Sequence, residues 1–179
     1  MKVKYSDLKN KRIFITGGGS GIGASIVEHF CEQGSEVYFV DIDLKETKKL
    51  LNKIKKNKFR SPTFIECNLL DINKLEKTIK NIIAKKGPIH ALINNAANDD
   101  RHKTDQVDEK YWENRMAINL KHYFFAAKAV VKSMKKMKAG SIVNLSSVSW
   151  MLGEGDKVCL LYTSPSPRDM RRSRMPSSA

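Results

Sequence analysis

Five of the ten glycines in this 179-residue sequence fall inside one short stretch, "TGGGSGIG" at 16–23. It lies between an apolar, β-branched run, "RIFIT" at 12–16, and an amphipathic one, "IGASIVEHFCEQ" at 22–33. That order reads as strand, tight turn and helix. Gly17, Gly21 and Gly23 let the backbone turn sharply and approach a pyrophosphate closely. The helix that follows offers it free N–H groups and the positive end of a dipole. A second chemical group stands at the matching distance: Asp41, at the carboxyl end of the run "EVYFVDID" at 36–43. A carboxylate there accepts hydrogen bonds from the hydroxyls of an adenosine ribose and repels a 2′-phosphate. The chemistry expected of this pair is dinucleotide binding, with NAD favoured over NADP.

The elements that would position these groups alternate along the chain. A helix is predicted over 44–56, a third strand over 62–69, a helix over 71–87 opened by Asp71 as cap and closed at Gly87, and a fourth strand over 89–97. One long helix is predicted over 108–138 and a fifth strand over 140–147. Buried strands alternating with helices predict an α/β fold, a Rossmann-type doubly wound parallel sheet. The chain has one domain's worth of residues.

The formal charge is +14, from 33 Lys and Arg against 19 Asp and Glu. The lysines are spread over stretches such as "KETKKLLNKIKKNK" at 45–58, with no aromatic residues between them on which bases could stack. They read as solvated helix faces, so no nucleic-acid partner is expected. Cys31, Cys67 and Cys159 show no zinc-like or redox spacing, and His29, His90, His102 and His122 form no i, i+4 metal pair. Without an apolar signal segment or a membrane-length run, the expectation is a soluble cytoplasmic protein with no membrane partner.

"TGGGSGIG", "NNAA" at 94–97, Asn119 in "MAINLKHYFF" and "GSIVNLSSVS" at 140–149, taken in this order, resemble the short-chain dehydrogenase/reductase family over residues 8–158. The resemblance implies that Gly17, Ser20, Gly21, Ile22 and Gly23 surround the pyrophosphate and that Asp41 holds the ribose. It implies that Asn94, Asn95, Ala96 and Ala97 lie beside the adenosine half and that Asn68, with Leu69, meets the adenine. The family often has Asp where Asn68 stands, and "NNAG" where this chain has "NNAA".

By the same resemblance, Asn119 orders a water in a proton path and Ser147, rather than its neighbour Ser146, positions the reacting oxygen. The family's general base is a tyrosine thirteen residues beyond that serine, with a lysine four further on, but those positions hold Leu160 and Ser164. Tyr162 is followed four residues later by Ser166, and Pro165 and Pro167 oppose the helix that should carry the pair. "CLLYTSPSPRD", which opens at Cys159, and the terminal "MPSSA" resemble an in-frame translation of a sequencing-library adapter. The expected organisation is therefore 1–158 as the N-terminal part of one dehydrogenase domain, truncated after the fifth strand, and 159–179 as a non-native, disordered tail. The chain itself is then expected to be inactive, with the fifth strand as an exposed edge.

Three further stretches, "NDDRHK" at 98–103, "YWENRMAINLKHYFF" at 111–125 and "SVSWMLG" at 147–153, resemble the sugar-oxidising branch of the family. That implies NAD-dependent oxidation of an aldose such as D-xylose at C1 to its lactone in the full-length parent, with Asn98, Ser149 and Trp150 lining a sugar pocket. It also implies a dimeric or tetrameric parent. A ketoacyl or polyol dehydrogenase, or a non-catalytic dinucleotide-binding module, are the alternatives.

Overall fold

The computed structural model describes residues 3–100 and 102–147. Five parallel strands form one sheet in the order β3-β2-β1-β4-β5. They are β1 (Arg12–Thr16), β2 (Glu36–Asp41), β3 (Thr63–Glu66), β4 (Ala91–Asn94) and β5 (Ser141–Asn144). The helices between them are α1 (Gly21–Glu32), α2 (Leu44–Lys56), α3 (Ile72–Lys86), α4 (Glu109–Met116) and α5 (His122–Met137).

Alternation along the strands divides the core in two, as a pleat requires. Ile13, Ile15, Val37 and Phe39 meet Val27 of α1 and Leu50 and Ile54 of α2 on one face. Phe14, Tyr38, Val40 and Leu92 meet Leu75 and Ile79 of α3 and Ala126 and Val130 of α5 on the other. Each large aliphatic or aromatic side chain so buried contributes about 1.5–3 kcal/mol. β1 is the central strand, and Ile13, Phe14 and Ile15 are almost wholly buried.

Asp43, Asp71 and Asp108 cap α2, α3 and α4 by accepting the N–H groups of Glu46, Lys74 and Tyr111. Asp71 is thus the cap that the sequence predicts. The single helix predicted over 108–138 is instead interrupted: Ala117–Lys121 form a π-helical turn between α4 and α5. Such a turn inserts a residue into the helical ladder and is common at functional sites. The strands are also shorter than their apolar runs. β2 ends at Asp41 because its own carboxylate accepts the N–H groups of Ile42 and Asp43 and turns the chain there.

β5 pairs with β4 on one side and has no partner strand on the other among the described residues, and all of its residues are exposed.

Candidate functional site

The strand order reverses between β1 and β4, so the chain leaves the carboxyl ends of these neighbours toward opposite faces and opens a crevice there. The crevice is a cleft of about 1060 Å³. Its walls include Gly17, Ser20, Gly21, Ile22 and Gly23 from the glycine turn, and Asp41 from the end of β2. Asn68 and Leu69 come from the loop after β3, and Asn95, Ala96, Ala97 and Asn98 from the loop after β4. Asn119 comes from the π turn, and Ser146 and Ser147 follow β5. The cleft therefore brings together the candidate site residues of the described part of the chain except Asn94, which is fully buried beneath it instead of facing a cofactor. Ser149, Trp150, Leu160, Tyr162 and Ser164 lie outside the described residues.

The glycine turn is built by close backbone contact. Gly17 and Gly21 take positive φ values of 65° and 51°, where a side chain is strained. A Cβ on Gly23 would lie 1.8 Å from the Gly17 carbonyl oxygen, whereas one on Gly21 would meet only open space. α1 thus packs directly under the turn while its first residue faces the cleft. Ser20, at the N-cap of α1, makes no side-chain capping bond. The orphan N–H groups that Asp side chains cover in α2, α3 and α4 are left without that cover here.

Asp41 is held from three sides. One carboxylate oxygen accepts the Gly19 N–H at 2.7 Å, and the other accepts those of Ile42 at 2.7 Å and Asp43 at 2.9 Å. These backbone N–H groups fix the direction of the carboxylate.

Several polar side chains turn out to serve the chain's own backbone. Asn95 donates to the carbonyls of Thr16 at 3.1 Å and Gly17 at 2.8 Å, locking the loop after β4 to the glycine turn. Asn68 accepts the Leu70 N–H at 3.0 Å. Asn119 accepts the Asn98 N–H at 2.7 Å and donates to the Asn98 carbonyl at 3.0 Å, so the two ends of its amide bind the backbone on both sides of one residue. Asn94 is fully buried and donates to Asn144 at 2.8 Å, one strand away in the same register row.

The loop that carries Asn98 is anchored again further on. Arg115 of α4, nine-tenths buried, donates to Asp100 at 2.9 Å and stacks over the Tyr111 ring at 4.6 Å. The Arg115 bond, with a second from Asn98, holds the Asp100 carboxyl below the usual range. Tyr111 and His102 meet at 2.9 Å beside this pair.

Tyr123 also lines the cleft, a residue that motif reading misses although it stands only four positions after Asn119, in the first turn of α5. Burial pushes its phenol up to about 12, and its hydroxyl donates to the Leu145 carbonyl at 3.1 Å. A phenol so placed is a structural donor and is not poised as a base near neutral pH. Ile118 and Cys67 complete the apolar parts of the wall. Burial raises the Cys67 thiol, which leaves it inert rather than nucleophilic.

The model of the short chain dehydrogenase family matches residues 11–159. D-xylose 1-dehydrogenase of Caulobacter vibrioides is 41% identical over 154 residues, covering 86% of this chain and 60% of that protein. A probable galactose dehydrogenase of Rhizobium meliloti is 38% identical over 149 residues, covering 83% and 58% respectively. Among solved structures, the ligand-free aldohexose dehydrogenase of Thermoplasma acidophilum superposes with a TM-score of 0.76 at 28% identity, covering 89% of this chain and 58% of that one. The chain spans about three-fifths of the length of the curated relatives it matches. With the parallel sheet, the glycine turn and the cleft at the strand ends, the chain belongs to the short chain dehydrogenase family.

Proposed function

We propose that the cleft is the cofactor site of an NAD-dependent dehydrogenase and that the full-length parent oxidises an aldose at C1 to its lactone. The observation that carries the cofactor reading is the pairing of two features at one cleft. The N-terminus of α1 lacks a side-chain cap beside open space at Gly21, and the Asp41 carboxylate is fixed at the end of β2.

These residues fit a dinucleotide. The uncapped N–H groups suit a pyrophosphate, and Asp41 suits a diol while opposing a 2′-phosphate by like charge. The cleft stands at the upper end of the roughly 300–1,000 Å³ of ligand clefts, as a two-nucleotide ligand needs. When bound, the cofactor supplies the nicotinamide carbon that takes a hydride from the carbinol carbon of the substrate. The protein's own part is to orient and to exclude water. Asn119 fixes the Asn98 backbone beside the reacting end, and Ser147 holds the substrate oxygen.

The hydroxyl proton must leave to a base as the lactone forms. Tyr123 is not that base, because its phenol is pushed up and already donates to Leu145. We therefore propose that the chain as given binds NAD without turnover, that residues 159–179 are foreign to the domain, and that the parent supplies the tyrosine and lysine.

The sugar class rests on the names of the relatives and on the polar loop from Asn98 to Asp100, which Arg115 ties to α4. The assembly reading rests on an apolar stripe of Leu120, Phe124 and Val131, exposed on the π turn and α5. We propose that it is covered by a second copy of the protein.

The test is NAD reduction by the uninterrupted reading frame with D-xylose, D-galactose and acyl thioesters. The expected result is activity with an aldose. Activity with thioesters alone overturns the sugar reading.

A further inference from the structure

Thr16 ends the central strand under the cleft and is fully buried. Its hydroxyl oxygen accepts the backbone N–H groups of Asn95 at 3.1 Å and Ala96 at 3.2 Å. These bonds hold the loop after β4 against the glycine turn, where Ala96 packs so closely that a Cβ on Gly17 would lie 2.8 Å from its Cα. A hydroxyl has two lone pairs and one proton. With both lone pairs turned to the loop, the proton needs an acceptor of its own.

The group placed to accept it is His122, whose Nε2 lies 3.4 Å from the Thr16 oxygen across 106 residues of sequence. His122 is fully buried, is the first residue of α5 after the π turn, and packs edge-on against Tyr123 at 4.5 Å. A proton on Nε2 would turn a second donor toward the Thr16 hydroxyl and leave the hydroxyl's own proton without an acceptor. The neutral ring with its proton on Nδ1 satisfies Thr16, and the Nδ1–H, which has no close hydrogen-bond partner, is left to interact with the Ile118 backbone.

We propose that His122 is a positioning residue for the cofactor loop: its neutral Nδ1–H tautomer accepts the Thr16 proton at Nε2 and fixes the hydroxyl so that both lone pairs face the Asn95 and Ala96 amides. The reverse side of the same helical turn is tied down as well. The Tyr123 carbonyl accepts from Asn94 at 3.4 Å and the Tyr123 hydroxyl donates to the Leu145 carbonyl at 3.1 Å. The start of α5 is thereby fastened to the ends of β1 and β4 and to the residue after β5, under the cleft. The π turn that carries Asn119 leads directly into this anchor. The effect on ligand affinity rests on the cofactor reading above, but the tautomer does not.

Two measurements on the 179-residue protein test it. Long-range nitrogen–proton NMR at neutral pH, with His122 assigned by the signals lost in His122→Gln, should show Nδ1 protonated and Nε2 bare. A proton on Nε2 overturns the proposal whether or not any variant folds. In NAD titrations, Thr16→Val and His122→Leu should each weaken binding by about 10-fold, the equivalent of one hydrogen bond. The double variant should be no weaker than the worse single one. His122→Gln, whose amide oxygen reaches the place of Nε2, should recover most of the loss. Additive losses in the double variant overturn the proposal. Failure of the wild-type protein to bind NAD overturns the cofactor reading instead and leaves the NMR result to decide the role of His122.

Discussion

Gly19 donates its backbone N–H to Asp41 at 2.7 Å, joining the glycine turn to the carboxylate that would read the ribose. The contact requires glycine. A Cβ at position 19 would lie 2.4 Å from the Thr47 hydroxyl oxygen and 2.9 Å from the Asp41 carboxyl carbon. Thr47 is itself buried, so it has little room to yield.

Gly19→Ala should therefore act through Asp41. Overpacking costs about 1–3 kcal/mol, and the carboxylate is the neighbour free to swing into the cleft. NAD affinity should fall by about 10-fold or more with a smaller change in the unfolding midpoint. Calorimetric titration beside thermal unfolding separates the two, and unchanged NAD affinity would show that the clamp does not matter.

Asn119→Leu removes the partners of both the Asn98 N–H and the Asn98 carbonyl. Losing two hydrogen bonds to a half-buried backbone costs about 0.5–1.5 kcal/mol each, so the urea midpoint should fall. Exchange of the Asn98 amide proton should accelerate more than that of residues in β1. Unaltered protection of Asn98 would contradict the assigned role.

Stability should fall on mild acidification. Burial holds His122 at about 4 against an ordinary value of 6.5, so the unfolded chain binds a proton that the folded chain refuses. The contribution is complete above pH 6.5 and is lost as pH falls toward 4, amounting to about 3 kcal/mol. His90 is shifted the same way, by burial first and then by Arg12 and Lys11. Urea unfolding of the wild-type protein and of His122→Gln at pH 7.0, 5.5 and 4.5 isolates the His122 share. Equal slopes for the two proteins would refute it.

Phe124 is 65% exposed on α5, with Leu120 and Val131 on the same helical stripe. If a second copy covers this stripe as proposed, a charge placed on it disrupts the contact. Phe124→Lys should shift the sedimentation equilibrium of the 179-residue chain from dimer to monomer, and a wild-type protein that is monomeric at high concentration would remove the interface reading.

The parts of this molecule legible in the sequence are those where the backbone itself dictates the residue. Gly17 and Gly21 need positive φ, Gly23 needs to lack a Cβ, and Asp71 needs to cap α3, so each advertises its place. The π turn at Ala117–Lys121 has no such signature, because its residue types suit an ordinary helix equally well. Asn68, Asn95 and Asn119 were legible as residues of the cleft but not as residues whose amides bind this chain's own backbone. Residue type alone does not say whether a polar side chain faces a ligand or a peptide group. The Thr16–His122 contact joins residues 106 apart and becomes visible only when β1 and α5 are packed together.

The cleft between the glycine turn and Asp41 is proposed to hold NAD. Calorimetric titration of the 179-residue protein with NAD and NADP, repeated on Asp41→Ala, tests it most directly. Saturable one-to-one binding of NAD is expected, with at least about 10-fold weaker binding of NADP and loss of that preference in the variant. Absence of saturation by either nucleotide, or a preference for NADP in the wild-type protein, would contradict it.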